Sequence, residues 1–149
     1  MPMFKSNLQT RPIHRRDVSP MEICERVTNI SSDDLRKVLR MEIFPRVQKA
    51  GRYIGGEVNS IVKHPERIWL RFALAFPDVY EVGMCSAGMS IIYETVNRLD
   101  GVQAERVFAP WFDMEAQLRK RKLPLYGLES FTPLHQFDVV GFSLPYELL

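Results

Sequence analysis

The sequence predicts an α/β fold, a mostly parallel sheet behind an N-terminal helical extension, on three observations. Short apolar runs fit for buried strands recur after residue 68, and segments with 3.6-residue apolar spacing separate them. Residues 19–44 instead carry two helix-start signals and no strand signal. Strands alternating with helices need crossover connections, which make the strands parallel.

The elements follow in chain order. Residues 1–18 are polar and aperiodic, with Arg11, Arg15 and Arg16, and read as a flexible arm. Ser19 as a cap, Pro20 in the first turn and Glu22 three residues on announce a helix, with Ile23, Val27 and Ile30 on one face. The run from Ser31 to Asp34 announces a second, with Leu35, Val38 and Leu39 facing inward and Pro45 as its limit. The extension therefore covers 19–50, and a Rossmann-like domain covers 51–149. Within it, Arg52–Lys63 reads as a hairpin or docked loop around Gly55 and Gly56.

The run IWLRFALAF, residues 68–76, ends in five apolar residues and is stopped by Pro77, as a strand buried on both faces would be. Met89, Ile92, Val96 and Leu99 share a helical face that begins near Cys85 or Ser86 and closes at Gly101. Arg106–Phe108 is a short second strand. Asp113 is the expected cap of another helix, whose basic end at Arg119–Lys122 complements the helix dipole. Leu123–Tyr126 is a candidate third strand, and Asp138–Leu144 a strong last one.

Composition narrows the function classes. The chain has 149 residues, 46% of them hydrophobic, enough for one packed core. No run approaches the ~20 apolar residues of a membrane span, and no apolar signal core follows the basic N-terminus. Two cysteines, Cys24 and Cys85, do not make a disulfide scaffold, so a cytoplasmic location is expected. Ten basic against six acidic side chains in residues 1–50 would suit RNA, but no aromatic platform is interleaved with them. A solvated helical face is the favoured reading.

Ligands of open α/β sheets bind beyond the carboxyl ends of the strands, here Pro77–Ser86, Ala109–Asp113 and Ser143–Glu147. There is no G-x-G-x-x-G and no G-x-x-x-x-G-K-[ST]. His14, His64 and His135 are isolated and lack metal-ligand spacing. Asp78 and Glu81 could pair as acids, and Trp111 with Phe108 and Phe112 could stack on a flat ligand. The readings favoured over these are solvated carboxylates and a core aromatic cluster.

The runs RVQKAGRYIGGEVNSIVK, FALAFPDVYEVGM, AERVFAPWFDMEAQLRKRKLPLYGLES and FDVVGFSLPYEL, over about residues 44–148, resemble the amino-terminal domain of a bacterial family of radical S-adenosylmethionine (SAM) proteins. The resemblance implies a cobalamin-binding-like domain ahead of a radical core. That core binds a 4Fe-4S cluster and SAM through a C-x-x-x-C-x-x-C motif, which this sequence lacks. The chain is thus expected to be a non-catalytic module, truncated at its C-terminal end, whose partner is the missing radical domain or a separate chain carrying it. Self-association is expected if that partner is absent.

Cobalamin is the candidate cofactor, at Asp78, Tyr80, Gly83, Ser86, Gly88, Gly141 and Ser143. Cobalamin domains that replace the lower ligand carry Asp-x-His-x-x-Gly after the first strand, and here Tyr80 stands between Asp78 and Gly83 at the histidine position. A phenol of pKa ~10 is a poor cobalt ligand near neutrality, so binding would proceed without a protein imidazole. Where family members often have Ser, then His or Asn, then Leu-Gly, this chain has Cys85, Ser86, Ala87 and Gly88. The alternatives are a stand-alone cobalamin or nucleotide carrier, and a scaffold or adaptor for a protein or RNA.

Overall fold

The computed structural model describes residues 30–144. The arm expected over 1–18, the helix expected from Ser19, Cys24 and Glu147 lie outside the described residues.

The first described helix, α1 (Ser32–Val38), starts where its cap predicts. The Ser31 hydroxyl accepts the Asp34 amide at 3.1 Å, and Asp33 and Asp34 occupy the first turn. The chain then widens into one π turn, Leu39–Ile43, and tightens into a 3-10 turn, Phe44–Arg46, at Pro45. Leu35, Leu39 and Ile43 are fully buried, packed with Phe44 against Met114, Leu118, Tyr126 and Phe131. Burying each such leucine or isoleucine contributes about 1.5–3 kcal/mol.

The sheet has three parallel strands in the order β2-β1-β3: β1 (Leu70–Phe76), β2 (Val102–Phe108) and β3 (Val139–Phe142). Between β1 and β2 lie a short helix, α2 (Tyr80–Met84), and a longer one, α3 (Ala87–Asn97); α4 (Phe112–Arg121) follows β2. On one face Leu74 and Phe76 pack under Met89 and Tyr93 of α3. On the other, Ala73, Ala75 and Val107 meet Leu125, Leu134 and Phe137. The α/β, Rossmann-like architecture is therefore present, with the first and last expected strands as neighbours. No described helix is long and apolar enough to cross a membrane.

Four expectations change. Leu123–Tyr126 is not a strand of this sheet: both sides of β1 are already taken, Pro124 has no amide to donate, and only one antiparallel bridge forms, Tyr126 with Pro133. Instead residues 125–134 fold back on themselves, with Phe131 at a φ of 64°. The second strand begins four residues earlier than expected, at Val102. The loop after β1 contains α2. Trp111, not Asp113, is the cap residue of α4; the Asp113 carboxylate accepts the Met114 amide at 2.7 Å and the Gln48 amide at 2.8 Å.

Of the two readings for Arg52–Lys63, the docked loop is the one found. Gly55 takes a φ of 71° and lies so close to the Leu128 carbonyl that a side chain would overlap it. Farther on, the Gln103 amide donates to the Ile61 carbonyl at 2.7 Å and accepts the Lys63 amide at 2.8 Å. The loop thus runs along the outer edge of β2. That edge is closed by side chains as well: Asn97 bonds both the amide and the carbonyl of Ala104, and the Glu129 carboxylate accepts the Arg106 amide. No strand can be added there. On the other side of the sheet Val139, Val140, Phe142 and Leu144 are exposed.

Candidate functional site

The polypeptide leaves β1 toward β2 on one side and returns to β3 on the other, so the carboxyl ends of β1 and β3 flank the point where strand order reverses. Asp78 and Ser143 stand at those two ends. Asp78 is half-buried, its carboxylate accepting the Val79 amide at 2.6 Å, while its carbonyl accepts the Ala109 amide at 3.0 Å and ties β1 to β2. The Ser143 amide extends the ladder by donating to the Ala75 carbonyl at 2.9 Å. Ser86 caps α3, accepting the Met89 amide at 3.4 Å, and Gly88 in the next turn is exposed with open space around it.

The remaining candidates face inward. Tyr80 opens α2, donates its hydroxyl to Glu57 at 2.7 Å, and meets the Phe108 ring edge-on at 5.6 Å. Burial, followed by the Glu57 hydrogen bond, pushes its phenol up to about 12. Gly83 is buried, and a Cβ there would overlap the Phe108 ring; one on Gly141 would stand 2.7 Å from the Phe72 ring. Both glycines are thus accounted for by close helix or strand packing on aromatic rings.

Nor do the other sequence candidates converge. Glu81 forms an ion pair with Arg52 at 2.7 Å, which holds its carboxyl below the ordinary range, so Asp78 and Glu81 are not a matched acid pair. Trp111 packs on Phe112 at 5.3 Å with Arg52 over its ring, whereas Phe108 turns to Tyr80. His64 is exposed beside Glu66, and the described residues contain no group of three metal-ligating side chains.

Residues 88–149 match the family model for radical SAM proteins, N-terminal. No curated protein and no solved structure matches the chain.

The family match spans most of α3 and all of β2, α4 and β3. Gly88, Gly141 and Ser143 fall inside it; Asp78, Tyr80, Gly83 and Ser86 precede it. In the first loop, the positions that the resemblance gives to cobalamin make contacts within the chain. The side chain at the histidine position is bonded to Glu57, and the glycine that would leave room for a ring system is filled by Phe108.

Most of the charged side chains with built environments were not among the sequence candidates. Arg106 is 4% exposed, with Nε donating to Glu129 at 2.6 Å, Nη1 to Asn59 at 3.1 Å and Nη2 to Ser60 at 3.2 Å. Its guanidinium also lies 4.4 Å from the Tyr93 ring centre. Glu105 is fully buried, accepting the Ser130 hydroxyl at 2.7 Å and Arg71 at 3.3 Å. Burial raises the carboxyls of both Glu105 and Glu129; Ser130 opposes the shift at the first and Arg106 at the second. The signal available in the sequence was polar residues inside a strand run, VQAERVF.

Proposed function

We propose that the chain is the N-terminal α/β module of a radical SAM protein, not catalytic by itself, which offers the open side of β3 and the adjoining carboxyl edge of the sheet to the radical domain. The family match over 88–149 carries this reading. The asymmetry of the sheet supports it: β2 is sealed by Asn97, Gln103 and Glu129, while the exposed apolar side chains of β3 stand on an edge that no other described residue seals. Cluster chemistry belongs to the radical domain, because three thiolates are needed and this sequence has only Cys24 and Cys85. Nothing in the proposal runs through cobalamin.

Co-expression with a radical domain bearing the three-cysteine motif, followed by size-exclusion chromatography with light scattering, tests the proposal. A one-to-one complex is expected, lost when Val140 and Phe142 are both replaced by lysine. A chain that stays monomeric at tens of micromolar both with and without that domain would refute it. Incubation with hydroxocobalamin, followed by an absorption scan of the desalted protein, is expected to leave no corrin bands.

A further inference from the structure

At the opposite end of the sheet from the strand-order reversal, a cleft of about 340 Å³ opens between the start of α1, the first residues of β1 and β2, and the 129–132 turn. That volume is in the range of small-molecule sites. Its chemistry is unbalanced in one direction. The acceptors at its base are already engaged: Glu105 by Ser130 and Arg71, Glu129 by both the side chain and the amide of Arg106. The Gln103 amide is held by the 61–63 backbone.

The donors are not similarly engaged. Arg36 gives Nη2 to the Ser130 carbonyl at 3.1 Å, but its Nη1 is 3.9 Å from Asp33, beyond hydrogen-bond length, and its buried Nε has no partner among the described residues. Arg71 reaches Glu105 only at 3.3 Å, long for a charge-assisted bond, which runs ~2.7–2.9 Å. Lys63 donates to two carbonyls, of Leu99 and Val102, and its charge has no carboxylate partner among the described residues. Ser32 makes only a long contact, 3.4 Å, with Thr132, whose own hydroxyl is engaged with that of Ser130 at 2.6 Å. Among the described residues, three cations therefore line a cleft whose only carboxylate without a hydrogen-bonded cation is Asp33, at the solvent-exposed rim.

We propose that this cleft binds a small metabolite through an oxyanion group, a carboxylate or a phosphate, gripped by the guanidinium groups of Arg36 and Arg71. Guanidinium forks match the planar geometry and paired oxygens of such groups. The ligand would link α1 to the amino ends of the strands, on a surface separate from the one assigned to the radical domain. The inference does not depend on the family reading.

Nitrogen-15 NMR of the full chain, reading the side-chain Nε–H signals of Arg36 and Arg71, tests it during titration with inorganic phosphate, with succinate, and with sodium chloride at matched ionic strength. Saturable shifts of both signals with phosphate or succinate, absent with chloride, are expected. Tighter binding of phosphate would indicate a phosphorylated metabolite, and of succinate a carboxylic acid. Arg36→Lys and Arg71→Lys keep the charge but lose the fork, and each should weaken binding at least tenfold when read by thermal shift. The proposal is overturned if neither oxyanion acts beyond chloride on the wild-type signals, or if a folded lysine variant binds as tightly as wild type.

Discussion

Replacing Glu129 by alanine should come close to unfolding this protein. The substitution removes the 2.6 Å bond to Arg106 Nε and the 2.8 Å bond to the Arg106 amide, while the guanidinium stays where it is, 4% exposed. Breaking a buried pair from one side costs about 3–5 kcal/mol, because the surviving charge is left uncompensated. The buried amide left without its acceptor adds about 1–3 kcal/mol. Asn59, Ser60 and the Tyr93 ring still hold the guanidinium and offset part of that sum. A net loss of about 4–6 kcal/mol is expected, against a total stability of about 5–15 kcal/mol for ordinary domains. Urea unfolding followed by circular dichroism measures it. The double variant Arg106→Met with Glu129→Leu removes the stranded charge and should recover most of the loss, leaving chiefly the unpartnered amide. A single-variant loss under about 1 kcal/mol, or a double variant no better than the single, would refute the view that the pair closes the β2 edge as a buried unit.

Gly83→Ala places a methyl group in the Phe108 ring and beside Phe76, and overpacking of this kind costs about 1–3 kcal/mol; an unchanged urea midpoint would show that α2 can simply lift away. Tyr80→Phe loses the hydrogen bond to Glu57 and is expected to cost about 1 kcal/mol in the same assay. Glu105 has its carboxyl raised by burial, so the folded state keeps this proton at pH values where the unfolded chain, near pKa ~4.3, has lost it. Its contribution is complete below that value and lost as pH rises through the folded pKa. Glu105→Gln should therefore flatten the fall in stability measured by urea unfolding from pH 4 upward, with Glu129, shifted the same way, accounting for the remaining slope.

What could be read from the sequence was whatever local chemistry determines. Ser31 marks α1 because a hydroxyl at that position has an orphan amide to accept, and LRFALAF followed by Pro77 marks β1 because an apolar run needs cover on both faces. The first half of β2 was hidden for the opposite reason. Gln103 and Glu105 look like surface residues until their partners are known, and those partners lie 25 and 42 positions away, at Ser130 for Glu105 and Ile61 for Gln103. Leu123–Tyr126 failed differently: its apolar residues suit a strand, but the segment closes instead on Thr132–Leu134, partners that no short window of sequence reveals. The same limit applies to the candidate site. The strand ends at Asp78 and Ser143 follow from element order, whereas the inward roles of Tyr80 and Gly83 depend on where the Phe108 ring lies.

Phe131 shows how distant parts of the chain are tied into one opening event. A bulky residue at a φ of 64° carries backbone strain of about 1–3 kcal/mol and keeps that conformation only when its surroundings impose it. Here the ring is stacked on Tyr126 at 5.3 Å and faced from the other end of the chain by Arg36 at 4.9 Å, which also holds the Ser130 carbonyl. When α1 detaches, that support goes, and the strained turn is free to relax together with the Ser130 and Glu129 contacts it presents to β2. Amide hydrogen exchange should therefore report α1 and residues 127–132 as one cooperative unit, opening with a common free energy below that of global unfolding, although about 95 residues of sequence lie between them. Contacts of such separation are late to form, so the turn would be completed near the end of folding, after the sheet it covers is already in place.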